Sequence, residues 1–160
     1  MTDKAKIFKL KLKPDNRKAS ERKFGKPVME LGFCIVPSLL IQGQARLGLS
    51  AQQLNVLLHL LDMWWDKENK PFPTKDRIAE RMNVSSKTVQ RHVAELEKSG
   101  LVQRIYRTRP GRGRTSNEYD LSGLVERLKE IETDFRKARD EARVKRRNAS
   151  LPTHKRKIVL

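Results

Sequence analysis

Three features of the 160-residue sequence predict a mainly helical chain with one small β-hairpin and a long helix near its carboxy-terminal end. Ser50 to Trp65 is leucine-rich at helical spacing. Thr74 to Gly100 carries two further helical periods, broken at Asn83 and Val84. Leu124 to Ala142 places an apolar residue at alternating steps of four and three. Between the last two stretches, β-forming Val102 and Ile105 are answered by Tyr119 and Leu121 across a run of arginine, glycine and proline, which spells two strands and their connection.

Residues 1–27 are basic and largely without period. Phe8, Leu10 and Leu12 alternate with lysines and would share one face of a short strand. From Pro14 to Pro27 the composition reads as a flexible arm. Val28 to Val36 is apolar, and Pro37 can open a helix over Ser38 to Arg46 with Leu39, Leu40 and Leu47 inward. Ser50 followed three residues later by Gln53 is a capping box ahead of an apolar run. Leu54, Leu57, Leu58, Leu61 and Trp65 form one stripe of that helix, and Val56, Leu60, Met63 and Trp64 widen it. Its second face must therefore be covered by the lead-in segment, the carboxy-terminal helix or another subunit. Asp66 to Lys70 reads as a polar turn and Pro71-Phe72-Pro73 as extended.

Thr74 is set to cap the next helix, with Asp76 in the first turn at its positive end. Ile78, Ala79 and Met82 make the inward face, Asn83 and Val84 turn the chain, and Ser85 or Ser86 caps a second helix. There Val89, Val93 and Leu96 lie on one side. Opposite them stand Lys87, Arg91, Ala94 and Lys98, with Ser86, Thr88 and Gln90 near the amino end and Glu95 and Glu97 farther along. Gly100 supplies the left-handed residue that ends the helix. Such a face suits a DNA major groove, where arginine pairs with guanine and glutamine with adenine while lysines and hydroxyls reach phosphate. Beyond the strand Leu101 to Arg107, the residues Arg107, Arg109, Arg112 and Arg114 alternate with Pro110, Gly111 and Gly113. Arginines on such a tip suit phosphates or the negative potential of a narrow groove. The two glycines are no dinucleotide fingerprint, since no apolar strand leads directly into them and no helix follows at once.

The run Ile78, Ala79, Val84, Ser85, Thr88, Val89, Arg91, Leu96, Gly100, Leu101 and Val102 resembles the winged helix-turn-helix of bacterial regulators. It looks closest to the helix-turn-helix domains found alone or in plasmid and phage replication proteins, over roughly residues 31 to 121. The resemblance implies a winged helix-turn-helix, mainly α with a small β-hairpin wing; with the last helix, read from its own spacing, the expected fold is that domain followed by a long C-terminal helix. The resemblance also implies a recognition helix in the major groove and a wing on the neighbouring backbone or minor groove. On that reading Ser85, Ser86, Lys87, Thr88, Gln90 and Arg91 face bases or adjacent phosphates, and Lys98 reaches the backbone. Thr74 and Lys75 hold phosphate where the first of the two helices begins, and Arg109, Arg112 and Arg114 belong to the wing.

Ser122 is expected to cap the last helix. Its seam of Leu124, Leu128, Ile131, Phe135, Ala138 and Ala142 is a heptad pattern, expected to pair two chains into a homodimer; folding back on Val56 and Leu60 is the alternative. Arg143 to Arg147 and Lys155 to Lys157 form a basic tail that could grip phosphates, with disorder as its expected resting state. The expected organisation is a basic arm (1–27), a DNA-binding domain (28–121), a dimerisation helix (122–147) and a tail (148–160).

Thirty-six basic residues against nineteen acidic give a net charge of +17, which calls for a polyanionic partner. The excess is +7 over residues 1–49 (11 basic, 4 acidic), +4 over 50–123 (13 and 9) and +6 over 124–160 (12 and 6), so the flanks are more basic than the reading head. Cys34 stands alone, which excludes a disulfide framework and suits a reducing cytoplasm; it reads as a core filler. His59 has no second ligand at metal spacing, and His92 is expected to pack against the helix capped by Thr74. Trp64 and Trp65 are expected in the core stripe rather than stacked on bases. No apolar run approaches the ~18 residues of a membrane helix, and the amino end lacks a signal-peptide core. The expectation is a soluble, cytoplasmic, nucleoid-associated bacterial protein without membrane contact. Without a Walker lysine, a nucleophile elbow or paired carboxylates, no catalytic residue, metal or cofactor is expected. The function expected first is a sequence-specific, double-stranded DNA-binding transcriptional regulator. A plasmid or phage replication initiator or accessory protein on repeated origin sites is the alternative, with replication or transcription machinery as partner, and a protein-interaction or antirepressor module is a third.

Overall fold

The computed structural model describes residues 18–109 and 113–152, with the backbone alone at 109 and 114. Two compact units divide between Phe33 and Cys34. The described part of the first holds α1 (Ala19–Phe24) and α2 (Lys26–Glu30). Over residues 18–27 these helices stand where a flexible arm was expected, and Pro14 to Arg17 lie outside the described residues. Gly25, at φ 88, reverses the chain between the helices, and Pro27 sits in the first turn of α2, where its missing N–H has no partner to lose. The alternating stretch Phe8 to Lys13 lies outside the described residues.

The second unit contains α3 (Ser38–Gln42), α4 (Ala51–Asp62), α5 (Lys75–Met82), α6 (Ser86–Lys98), four short strands and α7 (Ser122–Ala149). Pro37 caps α3, which ends at Gln42 and continues as turns. The capping box at α4 forms as its spacing predicts. Gln53 N–H donates to Ser50 Oγ (3.2 Å), and Ser50 N–H donates to Gln53 Oε1 (2.8 Å). The buried side of α4 is Val56, Leu57, Leu60 and Leu61, whereas Leu54 and Leu58 are only half-buried, so the inward stripe is rotated from the expected one. Trp65 lies past the end of α4, where helical phase no longer applies, and is 69% exposed. Cys34 is exposed as well, correcting its reading as core.

Leu40 and Leu49 from the lead-in, Ile78 from α5, Val89, Val93 and Leu96 from α6, and Leu121 and Leu124 at the start of α7 join α4 in one core. The second face of α4 is thus covered within the chain. Strand β1 (Gln103–Ile105) pairs antiparallel with β4 (Glu118–Asp120), Arg104 opposite Tyr119, and β2 (Thr108–Arg109) pairs with β3 (Gly113–Arg114) farther out. Tyr119 N–H donates to Pro71 O (2.9 Å), so buried Pro71 and Pro73 flank β4 but form no ladder, having no N–H to give.

Leu121, not Ser122, is the cap residue of α7, and it makes no side-chain capping bond. Ser122 N–H donates instead to Asp120 Oδ1 (2.8 Å), which together with nearby Lys70 holds the Asp120 carboxyl below the usual carboxylate range. Leu124 N–H donates to Leu101 O (3.0 Å), docking the first turn of α7 onto the chain leaving α6.

The seam of α7 divides. Leu124 and Ile131 are buried, Leu128 and Phe135 are half-buried, and Ala138 and Ala142 are exposed. Ile131 Cδ1 lies over Gly43, where a Cβ would come within 2.7 Å of it, and Arg46 pairs with Asp134. The turn after α3 therefore occupies part of the seam expected to face a second chain. A 3.5-residue period demands an apolar neighbour along the helix; it does not say which chain supplies it.

Candidate nucleic-acid interface

Local chemistry sets α5 and α6. Thr74 Oγ1 accepts from Arg77 N–H (3.1 Å), and Ser85 Oγ accepts from Thr88 N–H (3.1 Å), each satisfying an orphan donor at a helix start. Asn83 takes the left-handed conformation (φ 53) that stops α5, and Val84 N–H returns to Ala79 O (3.0 Å). Two side-chain bridges that spacing alone did not reveal then join the helix starts: Lys75 Nζ donates to Gln90 Oε1 (3.1 Å), and the Ser86 hydroxyl donates to the Asp76 carboxylate.

With Val89, Val93 and Leu96 buried, α6 turns Lys87, Gln90, Arg91, Ala94 and Lys98 to solvent. Ser85, Lys87, Thr88, Gln90, Arg91 and Ala94 line a shallow depression of about 400 Å³ on that face. Its acids are engaged elsewhere. Glu95 accepts from Gln53 Nε2 (2.9 Å) and bonds His92 Nδ1 (3.0 Å), contacts that hold its carboxyl below the ordinary range. Glu97 accepts from Arg104 N–H (2.8 Å) and Nε (2.7 Å). Among the described residues Lys87, Arg91 and Lys98 make no side-chain hydrogen bond or ion pair. The outer face of α6 therefore carries three cations free of ion pairs, with Glu95, four residues beyond Arg91, the acid whose charge Arg91 feels. His92 is buried, and its Nε2 meets Gln52 Oε1 (2.8 Å), so it packs against α4 and not against α5 as expected.

Beside α6 a cleft of about 490 Å³ opens between the start of α5 and the hairpin, lined by Thr74, Lys75, Gln90, Arg104, Tyr106 and Asn117 among others. Arg104, Tyr106 and Asn117 were not singled out by the sequence; only their places in or beside the strands flanking the arginine tip could have marked them. Arg107 is occupied in holding the hairpin, with Nε 3.3 Å from Glu118 Oε1 and its guanidinium 5.2 Å from the centre of the Phe72 ring. Arg109 and Arg114 fall in β2 and β3, facing Gly113 and Thr108 in register, while their side chains, and Arg112 altogether, lie outside the described residues.

The Glu97–Arg104 pair has a pH signature. Hydrogen bonds from Arg104 hold the Glu97 carboxyl below its ordinary value, so the stabilisation is complete above the unfolded value of ~4.3 and is lost as pH falls through the folded one. Urea unfolding across the acid range should show stability declining below pH ~4.3, and Glu97→Gln should flatten part of that decline. An identical acid slope in the variant would show that the pair contributes nothing.

Among the described residues no helix is long and apolar enough to cross a membrane, and no group of His, Cys, Asp or Glu could hold a metal ion. The sequence profile of the DnaD N-terminal domain matches residues 36–139. The chain belongs to the DnaD N-terminal domain family. That family is bacterial and replication-related. The crystal structure of the N-terminal domain of DnaD protein from Geobacillus kaustophilus HTA426 superimposes with a TM-score of 0.50 at 24% identity, over 79% of this chain and 99% of that one. This likeness shows a DnaD N-terminal fold. A possible transcriptional regulator from Methanosarcina mazei Go1 aligns with a TM-score of 0.42 at 19% identity, over 62% of this chain and 80% of that one, too weak a likeness to carry an argument. No curated protein matches the sequence. The match to the DnaD N-terminal domain begins at Val36, close to the division between the two units, and runs through Arg139 of α7.

Proposed function

We propose that this member of the DnaD N-terminal domain family is a winged helix-turn-helix that binds double-stranded DNA in the service of replication. In this reading α6 enters the major groove and the β1–β4 hairpin is the wing on the flanking backbone or minor groove. The observation that carries it is the outer face of α6, where Lys87, Arg91 and Lys98 stand exposed while Glu95 and Glu97 are bonded on the flanks. Arg91 reads a base, Lys98 grips phosphate, and Lys75 and Gln90 act together at the groove edge. The role is binding, without catalysis. Family membership favours replication sites over promoters, because regulation of transcription would use the same contacts and nothing in the fold selects it. A homodimer formed through α7 would rest on the seam's exposed end, Ala138 and Ala142.

Selection of bound fragments from a bacterial genome tests this directly. The expected result is one motif recovered as tandem direct repeats; single inverted repeats ahead of genes would favour a transcriptional regulator. Recovery of no motif, with no salt-dependent affinity, would reject duplex binding. Lys98→Ala should weaken preferred and random duplexes alike and lower the salt slope by about one.

A further inference from the structure

The charges of α7 are distributed unevenly. Up to Arg136 they are neutralised in place: Lys129 bonds Glu126 (2.7 Å), Arg127 bonds Glu130 (3.1 Å), Arg136 bonds Glu132, and Asp134 takes Arg46. Beyond it the pattern ends. Lys137, Arg139, Arg143, Lys145, Arg146 and Arg147 make no ion pair among the described residues, and only Asp140 and Glu141 lie between them. Every residue from Arg136 to Arg147 is exposed, the last buried position being Ile131 and the last half-buried large one Phe135. The helix therefore leaves its core and continues for about three turns in water, roughly 20 Å.

Arg139, Arg143 and Arg146 follow at steps of four and three, and Arg147 lies four past Arg143, so all four share one face. Cations in the last turn complement the helix dipole, which accounts for Arg146 and Arg147. It does not account for Arg139 and Arg143, two turns and one turn farther back, where like charges four residues apart oppose the helix. Such a row is stabilised by a polyanion. Duplex DNA presents one charge per ~1.7 Å of its axis, each neutralised phosphate releasing counterions. A membrane surface would need an apolar face on the same helix, and this end offers only Ala138, Ala142 and Val144.

We propose that the exposed end of α7 is a second nucleic-acid-binding surface, which holds phosphates through Arg139, Arg143 and Arg146 without reading bases. It deepens the duplex-binding reading of α6 and adds affinity that is independent of sequence. The test uses the full chain carrying R139Q/R143Q/R146Q, titrated with preferred and random duplexes over a series of salt concentrations. Random-duplex affinity should fall at least ~10-fold near physiological salt and the salt slope by ~3. The preference for the selected motif should stay unchanged. R139K/R143K/R146K, which keeps the charge, should keep the slope, and circular dichroism should show equal helicity in all three proteins. Unchanged affinity and slope in the glutamine variant would overturn the proposal, as would displacement of random duplex by poly-glutamate as effective as by DNA at equal charge. An Arg91→Ala protein separates the two readings. If it keeps full sequence preference while the α7 variant loses affinity, the α6 assignment fails and the α7 surface stands; if it loses preference while the α7 variant is unaffected, the reverse holds.

Discussion

Gly123→Ala is expected to destabilise the fold by about 3 kcal/mol, the upper part of the range for overpacking. A Cβ on Gly123 would lie 2.0 Å from Gly100 O and 3.1 Å from Gly100 C. Both are backbone atoms, which cannot swing aside as a side-chain tip can. Gly100 is itself held at φ 73 in the reversal that ends α6, and Leu124 N–H is bonded to Leu101 O just beyond. To admit the methyl group the first turn of α7 must lift away, lengthening that bond and loosening Leu121 and Leu124 in the core. Gly48→Ala serves as the control. It also has positive φ (68), but a Cβ there would meet open space, so only the left-handed strain of about 1 kcal/mol applies. Urea unfolding of both proteins makes the comparison, and equal losses would mean that α7 moves off Gly100 without resistance.

Arg91→Ala is expected to cost about 1 to 3 kcal/mol on the preferred duplex, roughly 5- to 150-fold in affinity, and to relax preference at one base position. The fold should be unaffected, because Arg91 is exposed and makes no side-chain bond among the described residues. The guanidinium stands mid-helix on the face that also carries Lys87 and Gln90, and under the proposed docking, with the amino half of α6 in the groove, it would reach base edges. Competition binding with selected and random duplexes measures the difference. Equal loss on both would make Arg91 a phosphate contact and leave the reading of bases to Gln90 or Thr88.

The devices that lie within a few residues of one another were legible in the sequence. Ser50 with Gln53, Thr74, and Ser85 all cap where their spacing predicts, because a cap and its orphan N–H sit within one turn. The left-handed Gly100 belongs to the same class, and the exposed row on α6 follows from three valine and leucine positions that can face only one way. Ser122 is the first residue inside α7 and not its cap, and its own orphan N–H is satisfied from outside the helix by Asp120, two residues earlier. The helices over Ala19–Phe24 and Lys26–Glu30 gave no signal because six and five residues are too few for an apolar period to recur.

Charge, helical period and capping chemistry were determined by the sequence itself, since each is a property of neighbours along the chain, and together they located α4 to α7 and the basic face of α6. Tertiary structure alone decided which leucines of α4 turn inward, that His92 meets Gln52, that Ser86 and Gln90 are bridged to α5, and that Ile131 rests on Gly43 of its own chain. Those outcomes depend on residues from 10 to 40 or more positions apart being brought within a few ångströms. An amphipathic pattern records that a face must be covered and leaves open what covers it, which only the competition among all buried surfaces resolves.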